Sequence, residues 1–219
     1  MRQSLFITFE GGEGSGKTTQ INRLSSYLIE QGQKVVTTRE PGGTPEAEAI
    51  RDLIVQRDAG DWTPMAEVLL FNAARVMLVD KVIKPALETD KVVISDRFLD
   101  STVAYQGYGH EMDLKDIDAI QKLAVHDFVP DLTFILDIDP EEGLKRSDRR
   151  LAGEKFVLDR QEDRYENMEL EFHKRLRNGF LEIAKQEPER CHVIDATQDL
   201  DAVTEDIKKI VQSKLKVAA

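Results

Sequence analysis

Short apolar runs alternate with amphipathic stretches along the whole chain, and this alternation predicts the fold. The apolar runs predicted as strands cover residues 5–9, 35–36, 92–95, 132–136 and 192–194. Apolar residues at helical spacing predict helices over 17–31, 45–56, 64–87, 114–125, 140–149, 165–185 and 200–215. Strands that are apolar throughout and joined by helices are typical of a parallel sheet buried on both faces. The pattern therefore predicts one α/β domain over 1–219, with a five-stranded parallel sheet flanked by helices.

The composition narrows the class of protein and its partners. The chain has 219 residues, of which 41% are hydrophobic and 32% are charged, as in a globular protein with a full core. It has no apolar run of about 18 residues, which excludes a membrane span. Its net charge of −11 repels nucleic acid polymers and anionic lipids, so we expect neither as a partner. Cys191 is the single cysteine, and without a disulfide we expect a reducing, cytoplasmic compartment.

A glycine-rich segment between the first strand and the first helix has the spacing of a phosphate-binding loop. The residues that match G-x-x-x-x-G-K-[ST] are Gly11, Gly12, Glu13, Gly14, Ser15, Gly16, Lys17 and Thr18. The glycines let successive backbone N–H groups face one anion, and the next helix directs its positive end there. We expect Lys17 to reach the β- and γ-phosphates and Thr18 to bind Mg²⁺. Asp96, which ends the third strand, is the expected acidic partner of the metal, and a helix cap is its alternative role.

Switches, motors and small-molecule kinases share this loop, and other features separate them. A GTPase switch would need an Asn-Lys-x-Asp motif, but none of the four asparagines is followed by lysine. A motor would need further domains. A kinase needs a second anion site and a cationic lid that excludes water. Such a cluster is formed by Arg146, Arg149 and Arg150. We predict that it lies in a mobile lid at about 146–162. For each arginine, the alternative is a place at the solvated end of a helix.

Three segments between the second and fourth strands carry an unusual set of residues. They are Arg-Glu-Pro-Gly-Gly-Thr at 39–44, Phe-Asn-Ala-Ala-Arg at 71–75 and Asp-Arg-Phe-Leu-Asp-Ser-Thr-Val-Ala-Tyr-Gln-Gly at 96–107. Arg39 and Arg97 follow strand ends, which is the side where open α/β sheets bind ligands. Phe71 and Arg75 are four residues apart and share a helix face, which suits a base that is stacked and contacted at its edge. Core packing is the alternative for Phe71.

These segments closely resemble the thymidylate kinase family, in its bacterial type with arginines in the lid. The resemblance covers most of the chain and also includes residues 9–11, 136–144 and 172–177. It implies a P-loop kinase that uses ATP and Mg²⁺ to phosphorylate dTMP to dTDP. It also implies a homodimer, for which the predicted helices 64–87 and 114–125 are candidate contact surfaces.

The resemblance further implies how the base and sugar are bound. Phe71 stacks on thymine, while Arg75, Thr102 and Gln106 contact its polar edge. Tyr105 packs beside the deoxyribose, where a 2′-hydroxyl would intrude. A threonine at 102 stands where serine is common in the family, and it keeps the hydroxyl.

On the phosphate side, the resemblance assigns Arg39 and Arg97 to the acceptor phosphate and Glu13 to the 3′-hydroxyl. Some family members carry a catalytic arginine where this chain has Gly14, so the lid arginines must take that role. The Asp-Arg pair that matches the family at the end of the lid is Asp163-Arg164.

The acceptor chemistry explains why no histidine occurs in the phosphate loop or in the segments 39–44, 71–75 and 96–107. A phosphate monoester is largely dianionic at pH 7 and needs no general base, so catalysis is positioning and charge neutralisation. A deoxynucleoside kinase, with Glu40 as its base, is an alternative, as are another nucleoside monophosphate kinase and a non-catalytic nucleotide sensor. Glu40 and Asp100 have no assigned role; orienting an arginine and helping to hold Mg²⁺ are the two alternatives.

Overall fold

A five-stranded parallel sheet forms the centre of the protein, and the prediction of its five strands is confirmed. The computed structural model describes residues 4–56, 60–154 and 164–215, and for 150–154 it describes the backbone alone. The strands are β1 (Phe6–Glu10), β2 (Val35–Arg39), β3 (Val92–Asp96), β4 (Leu132–Asp137) and β5 (Cys191–Asp195). Their order in the sheet is β2-β3-β1-β4-β5, and all neighbours are parallel.

The strand order brings the predicted ligand-binding loops together. β1 lies between β3 and β4, and Asp96 of β3 is in register with both Phe9 of β1 and Arg39 of β2. Because the carboxyl ends of parallel strands meet at one edge of a sheet, the loops after β1, β2 and β3 lie side by side.

Helices and two π-helical segments connect the strands. The α-helices are α1 (Lys17–Glu30), α2 (Pro45–Ile54), α3 (Pro64–Leu78), α4 (Lys84–Glu88), α5 (Leu99–Thr102), α6 (Leu114–Val125), α7 (Pro140–Glu154), α8 (Leu170–Gln186) and α9 (Leu200–Lys214). The first π-helical segment (Val79–Ile83) joins α3 to α4, which makes the predicted helix 64–87 one continuous run. The second (Val103–Gly109) continues α5.

Three helix predictions differ from the structure. α5 and the second π-helical segment were not predicted, because this stretch contains two glycines and several polar residues. α8 begins at Leu170 and not at 165, since 164–167 form a turn. α7 continues to Glu154, so the start of the predicted lid is helical, and residues 155–162 of that lid lie outside the described part of the chain.

Capping residues explain where several helices begin. The side chains of Thr44 and Thr63 accept hydrogen bonds from Ala47 N and Ala66 N, and a proline follows each threonine at the first helical position. Gly32 follows α1 with a φ of 79°, which is typical of a glycine that ends a helix.

Helices cover both faces of the sheet, as the continuously apolar strands predicted. Ile7 and Phe9 of β1 pack with α1 and α9 on one face. On the other face Phe6 packs with the first π-helical segment and α6, and Ile135 of β4 packs with α8. Within the described ranges, no helix is long and apolar enough to cross a membrane.

Candidate active site

The phosphate loop has the backbone that its glycines predict. Gly11, Gly14 and Gly16 have φ values of 131°, 65° and 90°, which side chains disfavour. Among the described residues, no side chain caps the first turn of α1, so its backbone N–H groups face the loop. Lys17 is buried, and its Nζ donates to the carbonyl oxygens of Gly11 and Gly12 at 3.1 and 3.0 Å. Burial, followed by the charge of Arg97, lowers the pKa of Lys17.

The two predicted metal ligands lie together at the mouth of this loop. Thr18 Oγ1 donates to Asp96 Oδ2 at 3.4 Å, which joins the start of α1 to the end of β3. A hydroxyl and a carboxylate are the hard oxygen donors that Mg²⁺ prefers, and Mg²⁺ held between a protein and phosphates needs few protein ligands. The pair therefore fits Mg²⁺ bound with a nucleotide. A helix cap, the other role considered for Asp96, is not seen: Phe98 stands at the start of α5, and the hydrogen bond described for the Asp96 side chain comes from Thr18.

Glu13 of the phosphate loop is joined to the loop after β3. It accepts hydrogen bonds from Arg97 Nη2 at 2.8 Å and from the Tyr105 hydroxyl. Arg97 also donates to the Gly11 carbonyl at 3.1 Å, and its guanidinium lies 4.9 Å from the centre of the Tyr105 ring. Burial alone would raise the pKa of Glu13, but Arg97 and Lys17 lower it to about 2. The structure thus brings an ionised Glu13, Arg97 and Tyr105 together beside Lys17.

Glu10, which sequence reasoning missed, holds the backbone of the same loop. Its carboxyl group is fully buried and accepts hydrogen bonds from Phe98 N at 2.8 Å and from Ser101 Oγ at 2.5 Å. Arg97, which lies in the chain between the end of β3 and Phe98, has a φ of 68°, a conformation rare for a residue with a side chain. Burial, and then the charge of Asp100, raises the pKa of Glu10 to about 8. A carboxyl group that ends a buried strand was the available clue in the sequence.

Arg75 is fixed by a buried network that begins at Glu40. Its Nε donates to Glu40 at 2.8 Å, its Nη1 to Asn72 at 3.2 Å, and its Nη2 to Thr102 at 2.9 Å and to the Phe98 carbonyl at 3.2 Å. A guanidinium has five N–H groups, so within the described residues one N–H of Nη1 remains for a ligand. Burial raises the pKa of Glu40 to about 7, although Arg75 opposes this shift.

Both acids without an assigned role turn out to orient arginines. Glu40 pairs with Arg75, as described above. Asp100 binds Arg190 through both carboxylate oxygens, at 2.7 and 2.8 Å, and is itself buried. Oε2 of Glu40 is bound by the Arg75 guanidinium, while its Oε1 is buried and has no hydrogen-bond partner in the described part of the chain.

The predicted base-binding residues lie on two helical segments that run antiparallel. Arg75, late in α3, contacts Thr102, while Glu67, early in α3, contacts Gln106 at 2.8 Å. Phe71 lies between these two contacts on the α3 face and is half-buried. Phe71 does not belong to the buried hydrophobic clusters of the described residues, and its stacking on a base stays a prediction.

Arg39 is a predicted site residue whose side chain does not contact the Glu13–Arg97 pair. Its side chain is exposed and pairs with Glu48 of α2 at 3.0 Å. Its backbone is next to Asp96 in the sheet, so it lies at the edge of the site rather than within the Glu13–Arg97 pair.

Of the lid arginines, Arg146 is the one that the structure brings to the phosphate loop. The first turn of α7 packs backbone to backbone on that loop: a Cβ on Gly143 would lie 2.5 Å from the Glu13 carbonyl oxygen. Arg146 is held by Glu142 at 3.1 Å and by the Ala196 carbonyl at 3.2 Å. Arg149 is exposed on the same helix, and the side chain of Arg150 lies outside the described part.

Comparisons with known proteins agree on one family. A family model for thymidylate kinase matches residues 9–207. The chain is 48% identical over 215 residues to a thymidylate kinase of Caulobacter vibrioides, covering 98% of this chain and 99% of the relative. It is 43% identical over 215 residues to that of Chlorobium chlorochromatii, covering 97% and 96%. The crystal structure of thymidylate kinase from Ehrlichia chaffeensis is similar at a TM-score of 0.75, with 41% identity over 95% of this chain and 98% of the other.

Proposed function

The chain belongs to the thymidylate kinase family, and from that premise we propose that it transfers the γ-phosphoryl group of ATP to dTMP, giving ADP and dTDP. The observation that carries the proposal is the contact of Glu13 with Arg97 at 2.8 Å. It joins the loop for the donor phosphates to the arginine proposed for the acceptor phosphate. Two phosphorylated ligands bound there would meet end to end.

On the donor side, the backbone N–H groups of the phosphate loop and the Lys17 ammonium bind the ATP phosphates. Thr18 and Asp96 would hold Mg²⁺, which when bound neutralises phosphate charge. The 3.4 Å contact between their side chains supports this assignment.

On the acceptor side, Arg97 binds the phosphate of dTMP, and Arg39 adds positive charge at the rim. Glu13 accepts from the 3′-hydroxyl, and the Tyr105 ring packs against the deoxyribose. The short chain of contacts from Arg97 through Glu13 to Tyr105 supports placing phosphate and sugar in this order.

The base lies on Phe71, between the two helical segments. Arg75 supplies its remaining N–H group to the polar edge, with Thr102 and Gln106 at the same pocket. The buried network around Arg75 holds the guanidinium before the ligand arrives, so little side-chain freedom is lost on binding.

Phosphoryl transfer itself needs no general base, because the acceptor phosphate is already a nucleophile. The protein aligns the two phosphates and stabilises the charge on the transferring group. Arg146, Arg149 and Arg150 supply positive charge from α7, and the packing of this helix on the phosphate loop supports Arg146 as the nearest.

We also propose a cytoplasmic homodimer. Large apolar side chains are exposed on α3 and α6, two helices that pack together: Leu69 is 53% exposed and Leu123 is 82% exposed. A second copy would cover them, which sedimentation equilibrium measures directly. The lone thiol of Cys191, buried and with its pKa raised by burial to about 12, suits a reducing compartment.

A panel of acceptors with ATP and Mg²⁺ tests the activity by the release of ADP. We expect the highest kcat/KM with dTMP among dTMP, dUMP, dCMP, dGMP and AMP, no turnover of thymidine, and loss of turnover with EDTA. Turnover of thymidine without dTMP would instead identify a deoxynucleoside kinase. Binding of ATP without any transfer would identify a nucleotide sensor.

A further inference from the structure

A buried carboxylate stands behind the proposed base pocket. Glu67 is 1% exposed, and it lies one helical turn before Phe71 on the same face of α3. Its Oε2 accepts from Gln106 Nε2 at 2.8 Å and from the Tyr165 hydroxyl at 3.0 Å. Its Oε1 is paired with Arg164 Nη2 at 2.6 Å.

These contacts fix the amide of Gln106 in one orientation. A carboxylate only accepts hydrogen bonds, so the amide must turn its nitrogen toward Glu67. The second N–H of Nε2 is directed at the Tyr165 oxygen, at 3.4 Å. The nitrogen is thus fully used by the protein. Oε1 of Gln106 is buried and has no hydrogen-bond partner in the described part of the chain.

A buried acceptor without a partner destabilises the folded state, and a hydrogen-bond donor of a ligand would remove this penalty at Oε1 of Gln106. At the other end of the pocket, Arg75 has one N–H to spare and cannot accept a hydrogen bond. The pocket therefore presents a fixed donor and a fixed acceptor on either side of Phe71.

Resting on the proposed function, we infer that Glu67 is a positioning residue that selects the base through Gln106. Thymine and uracil carry the O4 acceptor next to the N3–H donor, which matches Arg75 and Gln106. Cytosine carries an amino donor next to an N3 acceptor. Its amino group would therefore face the Arg75 donor, and its N3 would face the Gln106 acceptor. Glu67 enforces this choice, because it prevents the Gln106 amide from turning over to suit cytosine.

The substitution Glu67→Gln tests this role. A neutral amide both donates and accepts, so Gln106 becomes free to adopt either orientation. We expect the ratio of kcat/KM for dTMP to that for dCMP to fall at least about tenfold. The ratio for dTMP to dUMP should not change, because both bases present the same edge. Glu67→Asp, which keeps an acceptor-only group, should keep the dTMP:dCMP ratio within about threefold even where turnover falls.

The double variant Glu67→Gln/Gln106→Met shows whether Glu67 acts through Gln106. In the Gln106→Met background, adding Glu67→Gln should change the dTMP:dCMP ratio no further. Where Glu67→Gln does not fold, as judged by thermal unfolding, Gln106→Met alone tests the acceptor role and should lower the ratio at least about tenfold.

Three results would overturn the inference. The first is an unchanged dTMP:dCMP ratio in Glu67→Gln or in Gln106→Met. The others are a change of the dTMP:dUMP ratio in Glu67→Gln as large as that of the dTMP:dCMP ratio, and a fall of the dTMP:dCMP ratio in Glu67→Asp as large as in Glu67→Gln. Turnover of dTMP by the unmodified chain is measured first. Its absence would refute the proposed function, whereas the variants address the selection of the base.

Discussion

The backbone contact between the phosphate loop and α7 can be tested with a single methyl group. Gly143 is buried in the first turn of α7, and a Cβ there would lie 2.5 Å from the Glu13 carbonyl oxygen and 3.3 Å from Ile138 Cγ2. Ordinary van der Waals contact begins near 3.4 Å, so Gly143→Ala requires a shift of about 0.9 Å between the loop and the helix.

This shift separates two groups that the proposed reaction needs in register. Arg146 follows Gly143 by three residues on α7, and Glu13 lies among the glycines of the phosphate loop. A misplacement of about 1 Å costs up to about 100-fold in rate, so we expect kcat to fall by about 10- to 100-fold. The free energy of unfolding should fall by no more than about 2 kcal/mol, because overpacking costs about 1–3 kcal/mol while alanine is favoured over glycine inside a helix by about 1 kcal/mol.

Steady-state ADP release and thermal unfolding measure the two effects separately. Gly60→Ala is the matched control, because the nearest atom to a Cβ at Gly60 lies 3.6 Å away, on Trp62. An unchanged kcat in Gly143→Ala would refute the view that this contact positions Arg146. A collapse of the melting temperature would instead contradict the expected change in stability.

Three further perturbations follow from the site. Lys17→Met should lower kcat by several orders of magnitude with an unchanged circular dichroism spectrum; near-normal turnover would remove Lys17 from the mechanism. Arg39→Ala should raise the KM for dTMP more than the KM for ATP, and equal changes would contradict its placement at the acceptor rim. Because burial raises the pKa of Glu10 from 4.5 to about 8, the folded state keeps a proton that the unfolded chain loses. The free energy of unfolding therefore falls as pH rises from 4.5 to 8. In Glu10→Gln this fall should be smaller, by at most about 1.4 kcal/mol per pH unit, as measured by urea titrations at several pH values. Parallel pH profiles for the two proteins would contradict the buried proton.

The parts of the fold that were predicted are those with local patterns. The strands are short apolar runs, and the phosphate loop has a spacing that only a nest of backbone N–H groups requires. The cap at Thr63 is equally local, since the partner N–H is three residues away. Each of these features can be recognised without knowing what packs against it.

The features that escaped prediction depend on distant partners. Glu67 and Gln106 are 39 residues apart, and Glu10 and Phe98 are 88 apart. In the sequence each acid looks like an ordinary polar position, and its burial becomes visible only when the chain has folded. The helix Leu99–Thr102 and its π-helical continuation were missed for a related reason, because packing against α8 overrides their weak helix propensity.

The pairing of Arg97 with Glu13 has a consequence for how ligands of this protein respond to salt. Arg97, the cation proposed for the acceptor phosphate, is already paired with an anion of the protein itself, at 2.8 Å. An arriving phosphate therefore exchanges with, or shares, an internal counterion instead of displacing ions from solution. Affinity for dTMP should consequently depend on ionic strength less than the number of arginines at the site suggests.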